Sequence, residues 1–213
     1  EKQFFPRIEN DFKKIIRHGD STKNYWWEVT EKNGTRRFYG GRPGSNRPDE
    51  AAILKDGKGN IAHWALTEER DPNDNFVRYR YKKVEDAGTA NGEPGSNLYL
   101  DSITYTGNGN SEGKYSVVFT RASDSGELKR KDVTINARLG FKQVTADLLR
   151  WIHVKLNGKI IRSYQLNYGE GAFYKTLLQS VKEYDAASAL FNTHTLEYYN
   201  DIDGCNPFDE NEE

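Results

Sequence analysis

At 213 residues the chain is long enough for one large domain or two small ones built around a real core. Its 31 Lys+Arg against 32 Asp+Glu leave a net charge of −1, which argues against a phosphate-binding surface spread over the whole molecule. Apolar runs of only a few residues leave no membrane span, and one cysteine, Cys205, excludes an internal disulfide framework or a cysteine-rich zinc module.

No methionine is present, even at position 1, so the chain is expected to be a processed or excised piece, upstream of which a signal peptide could have been removed. Thirteen Tyr, ten Phe and four Trp, interleaved with Thr, Val and Arg, suit half-buried strands better than helices. In chain order, residues 13–16 read as a short helix or a strand. Residues 25–39 alternate around Asn33-Gly34, which predicts a hairpin closed by a two-residue type I′ turn. That turn sets Val29 opposite Phe38, Glu31 opposite Arg36 and Glu28 opposite Tyr39, combining an apolar pair with an opposite-charge pair.

Residues 61–69 and 76–83 flank a loop dense in turn formers, Arg70-Asp71-Pro72-Asn73-Asp74-Asn75. Residues 98–105 and 115–121 flank a Gly- and Asn-rich loop, and the polar stretch 85–97 is expected to link these two hairpins. Around Asn157-Gly158 a further type I′ hairpin places Val154 against Ile161, Trp151 against Tyr164, Lys155 against Ile160 and His153 against Arg162. Residues 173–184 carry apolar groups at helical spacing but equally allow a turn and then a strand; the latter is favoured. The tail 201–213 holds six acids and no base and reads as a frayed or linking end, with residues 1–200 as the β-rich domain. The rhythm predicts an all-β, mainly antiparallel structure built from successive hairpins, with at most one or two short helices.

Chemistry-bearing motifs are sparse. His18, His63, His153 and His194 have no metal-binding spacing, and no serine-nucleophile or phosphate-cradle signature is present. Cys205 lies beside acids that would hold its thiol protonated. Asp201-Ile202-Asp203-Gly204-Cys205-Asn206 opens like a calcium loop, but Cys205 and Asn206 occupy the places that need an oxygen ligand and a sharp-turn glycine. The acidic runs at 56–60 and 71–75 are better read as turns. Arg78, Arg80 and Lys82 alternate with Tyr79 and Tyr81, which separates cations from aromatics instead of joining them on one face as a nucleic-acid platform requires. No cofactor, metal or nucleic-acid partner is expected. Trp26, Trp27, Trp64 and Trp151 are the candidate ligand-contact residues, as stacking platforms for glycans in an alternative reading as a carbohydrate-binding module.

Several phrases in order carry a family likeness: Phe38-Tyr39-Gly40-Gly41; Lys55-Asp56-Gly57-Lys58-Gly59-Asn60-Ile61 with Trp64-Ala65-Leu66; Glu69-Arg70-Asp71-Pro72-Asn73-Asp74-Asn75-Phe76-Val77-Arg78-Tyr79-Arg80-Tyr81; Ile103-Thr104-Tyr105-Thr106-Gly107-Asn108; and Ile161-Arg162-Ser163-Tyr164-Gln165-Leu166-Asn167-Tyr168. From about Tyr25 to Tyr199 the series resembles the N-terminal SpvB/TcdB-type domain of bacterial insecticidal toxin-complex B subunits, plasmid virulence B proteins and RHS/YD-repeat proteins. It departs from that pattern at Asp74, where the family writes a turn glycine. The resemblance implies a non-enzymatic wall in a β-rich shell of a secreted or cell-surface toxin-like protein. Its implied partners are other segments of the parent chain, RHS-type subunits and an enclosed toxin cargo, and it carries over no catalytic residue.

Overall fold

Short alternating runs separated by tight turns have a direct way to satisfy their backbone groups, which is to pair each strand with the next. The computed structural model, which describes residues 1–8, 12–126 and 130–199, follows that route. Its strands are β1 (Lys2–Phe4), β2 (Lys14–His18), β3 (Trp26–Thr30), β4 (Arg36–Tyr39), β5 (Ile53–Lys55), β6 (Ile61–Trp64), β7 (Leu66–Arg70) and β8 (Asn75–Asp86). They continue with β9 (Gly95–Asn108), β10 (Tyr115–Arg121), β11 (Thr134–Asn136), β12 (Gln143–Thr145), β13 (Leu149–Leu156), β14 (Lys159–Glu170), β15 (Thr176–Tyr184) and β16 (Leu190–Thr195). Helical structure among the described residues is confined to α1 (Ala122–Ser125) and two 3-10 turns, Glu50–Ala52 and Ala172–Tyr174. The fold is therefore all-β and antiparallel, as expected.

Twelve strands form one meandering sheet in the order β1-β2-β3-β4-β7-β8-β9-β10-β13-β14-β15-β16, from which β5–β6 and β11–β12 branch as separate two-stranded hairpins. The first branch seals the core. Ile53 and Leu54 are almost wholly buried with Trp26, Phe38, Ile61 and Phe76. Each such side chain contributes about 1.5–3 kcal/mol by leaving water. The Gly40-Gly41 pair that ends β4 permits this closure. A Cβ on Gly40 would lie 2.9 Å from Ile53 Cγ2, and one on Gly41 would overlap the Trp26 indole. The second branch makes a smaller core of Ala122, Val144 and Ala146. From β13 to β16, the one fully buried residue is Ser163.

The structure corrects several local expectations. At Asn33-Gly34 the turn is a type I turn followed by a left-handed residue. Gly34 has φ +84°, its N–H donates to Glu31 O, and Glu31 N pairs with Thr35 O. The extra loop residue moves the register by one, so Val29 faces Arg37, Glu28 faces Phe38 and Trp27 faces Tyr39. At Asn157-Gly158 both residues have positive φ, the expected type I′ turn, and Lys155 pairs with Ile160. A bulge beyond Lys155 then shifts the ladder: Val154 meets Arg162, His153 meets Ser163 and Trp151 meets Gln165.

Residues 61–69 are not one strand. They break at Ala65, whose N–H donates to Ala52 O and whose carbonyl accepts from Gly40 N, so that β6 and β7 enter different sheets. The polar stretch 85–97 is not a linker either. β8 and β9 pair down to Asp86–Gly95, and the tip beyond is pinned by Lys142 Nζ, which donates to Ala87 O and Glu93 O at 2.6 and 2.7 Å. Residues 13–16 fall in or beside strand β2, and 173–184 form a 3-10 turn followed by β15. Cys205 and the acidic tail, with its calcium-like loop, lie outside the described residues.

Candidate functional site

The four tryptophans do not form one surface. Trp26 is 2% exposed and stacks on His18 with ring centroids 3.7 Å apart and planes 5° apart. Trp27 meets Trp64 edge to face at 5.9 Å, and Trp64 Nε1 donates to Tyr25 O at 2.6 Å. Three of the four thus belong to the packed end of the sheet. Trp151 stands apart, half-buried on β13, 5.6 Å from both His153 and Tyr184. Burial lowers the pKa of His153, with a further push from Lys155, and burial alone lowers that of His63; both imidazoles favour the neutral form.

The cationic stripe on β8 is neutralised. Glu68, with no exposed surface, accepts from Arg70 through one carboxylate oxygen and from Arg78 through the other, each at 2.8 Å. The two guanidiniums both lie 4.7 Å from the Phe76 ring centroid, within cation–π range. Glu112 bridges Arg78 and Arg80, and Asp124 takes Lys82. Burial pushes the Glu112 carboxyl up, but the hydrogen bonds and charges of Arg78 and Arg80 outweigh it and hold the pKa below the ordinary range. These partners were missed in the sequence, although the 70–75 turn already set Glu68 opposite Arg78.

The acidic turns at 56–60 and 71–75 use their carboxylates internally. Asp56 Oδ1 accepts from the Lys58 and Asn60 N–H groups, and Asp71 Oδ1 from those of Asn73 and Asn75. The Asn60 and Asn75 side chains cap the other oxygen, which lowers both pKa values. Among the described residues no group of three His, Cys, Asp or Glu is placed to hold a metal ion. A cavity of about 290 Å³ lies where β12 and α1 meet the β8–β9 hairpin. Its most buried acid, Asp147, already accepts from the Ser123 N–H and hydroxyl and the Leu148 N–H.

What remains is the sheet itself. From β8 to β15 the register places Tyr79, Ile103, Val117 and Val154 in one cross-strand row, Phe119, Ile152 and Tyr164 in the next, and Leu166 beside Val181. All nine are half-buried and none is sealed. The other face carries Arg80, Ser102, Val118, His153, Ser163 and Tyr184 in one row and Thr120, Trp151, Gln165 and Lys182 in another. The sheet thus has one apolar and one largely polar side. No helix among the described residues is long and apolar enough to cross a membrane.

Residues 2–129 match the family described as SpvB, Salmonella virulence plasmid 65kDa B protein. The N-terminal domain of effector protein SpvB from Salmonella typhimurium strain LT2 is similar in fold, with 18% identity, TM-score 0.65, 92% of this chain covered and 69% of that one. The TcdB2-TccC3-TEV crystal structure aligns at 17% identity and TM-score 0.66, covering 91% of this chain and 11% of that one. A Photorhabdus luminescens Tc holotoxin pore gives 16% identity and TM-score 0.61, covering 87% and 10%. The chain therefore spans only about a tenth of the toxin-complex chains that share its fold. No curated protein matches.

Proposed function

The chain belongs to the SpvB family, and from that premise we propose that it is a non-catalytic wall segment in the shell of a secreted or cell-surface toxin-like protein. The observation that carries this reading is the half-buried apolar row running across β8 to β15, in which no residue is fully buried. A sheet with such a face gains from neighbouring sheets or an enclosed polypeptide. Those neighbours are other segments of the parent chain or RHS-type partner subunits, with a toxin cargo inside.

Two measurements test it. The isolated chain should bind an apolar dye saturably, and Val117→Lys or Phe119→Lys should weaken that binding with the circular dichroism unchanged. It should also turn over neither nicotinamide dinucleotide nor ester or glycan substrates. A wild-type chain that binds no dye, or reproducible turnover, would overturn the proposal. The carbohydrate reading narrows to Trp151, the one tryptophan outside the packed cluster. It stands or falls on whether neutral oligosaccharides quench a tryptophan signal that Trp151→Phe removes.

A further inference from the structure

Asn-Gly is the sequence pair most open to spontaneous loss of the side-chain amide, because glycine leaves the attacking backbone nitrogen unshielded. The chain has four such pairs, at Asn33, Asn91, Asn108 and Asn157. The fold treats them differently. Gly34 N donates to Glu31 O at 2.9 Å and Asn33 Oδ1 accepts from Thr35 N. Gly92 N donates to Thr89 O at 3.2 Å. Gly109 N donates to Asp74 O at 3.0 Å, while the Asn108 amide donates to Asn73 O and Asn75 Oδ1. In each of these three pairs the nucleophile is engaged, and the glycine is only half-exposed.

At the tip of the β13–β14 hairpin, Asn157 and Gly158 are both exposed. Among the described residues no hydrogen bond holds the Gly158 N–H or the Asn157 side chain; the bond at this tip runs from Asn157 N to Lys114 O. We propose that Asn157-Gly158 is a covalent modification site, where the chain converts Asn157 to aspartate or isoaspartate without an enzyme. The Gly158 nitrogen attacks Asn157 Cγ. A carbon–nitrogen bond forms to close a succinimide, the Cγ–Nδ2 bond breaks, and the amide nitrogen leaves as ammonia with the Gly158 proton. Water then adds to either ring carbonyl and reopens it. Both products place a carboxylate beside Lys159. The isoaspartate also lengthens the backbone of a two-residue turn that fixes Leu156 opposite Lys159, so the hairpin register is strained.

The test is peptide mapping by mass spectrometry of the intact chain held in mildly alkaline buffer, scoring deamidation at all four pairs, with and without concentrated urea. In the folded chain Asn157 should react roughly fivefold or more faster than any other pair, the protection expected when one hydrogen bond must open first. In urea the four rates should converge. Equal or faster reaction at Asn33, Asn91 or Asn108 in the folded chain, no reaction at Asn157, or a lead for Asn157 that persists in urea would each overturn the assignment.

Discussion

Glu68 shows how much one side chain can hold when the sheet closes over it. It has no exposed surface, and its two oxygens serve Arg70 and Arg78, whose guanidiniums both lie against the Phe76 ring. Glu68→Gln keeps the shape but leaves two partly buried cations without their counter-charge. The expected loss is about 3–5 kcal/mol, read as a lower urea midpoint with an unchanged slope. Asp132 makes the pH argument. Hydrogen bonds from Arg130 first, then Thr176 and Lys175, hold its carboxyl far below the ordinary range. A carboxylate whose folded pKa is depressed contributes stability that is complete above its unfolded value, near 3.9, and is lost as pH falls through the folded one. The urea midpoint should therefore drop below about pH 4, and Asp132→Asn should flatten that drop. An unaltered acid limb in the variant would remove Asp132 from the account.

At the scale of elements, one turn recurs. Residue pairs 31/35, 56/60, 71/75 and 185/189 each close a loop by an N–H to carbonyl bond, and in each the fourth residue is left-handed: Gly34, Gly59, Asp74 and Ser188. Asp74, where the resemblance implies a turn glycine, adopts φ +63°, and Asp71 clasps the N–H groups of Asn73 and Asn75 around it. Ser188 bears the same strain at φ +62° with Asp185 as its clasp. Ser188→Gly should raise stability by roughly 1 kcal/mol, seen as a higher melting temperature, whereas Gly34→Ala should lower it.

These turns also mark the limit of what the sequence could tell. Both Asn-Gly hairpins were legible as hairpins. The same dipeptide, however, makes a type I′ turn at Asn157, whose N–H is taken by Lys114 O, and a different turn at Asn33, whose side chain holds Thr35 N. Choosing between them needs contacts that a local pattern does not contain. The polarity of 85–97 misled for a related reason: Lys142, distant in sequence, holds that tip. The antiparallel sheet, by contrast, was legible as alternating aromatic and β-branched runs. Which tryptophan would stay apart was not, because the branching of β5–β6 from the main sheet decides it.

For the whole molecule, the distribution of burial sets the behaviour. The sealed core sits near β3, β4, β5 and β7, and strand β16 at the far edge is exposed along its whole length. An edge strand is normally guarded by a charge, a proline or a bulge that twists it away. Between Leu190 and Leu196 there is no Lys, Arg, Asp, Glu or Pro, and a bulge at Phe191, which is 72% exposed, interrupts the pairing only at the start of the strand. In a shell this edge is where a neighbouring strand would add; among the described residues no strand pairs with its outer side, which leaves it open to another copy. The isolated chain should therefore associate as its concentration rises, measured by size-exclusion chromatography with light scattering. Phe191→Lys should shift it toward monomer without changing its melting temperature, since the substitution touches no buried group. If the wild-type chain stays monomeric at every concentration, or the lysine variant associates equally well, then β16 is not an open pairing edge and the proposed shell would have to close through some other strand.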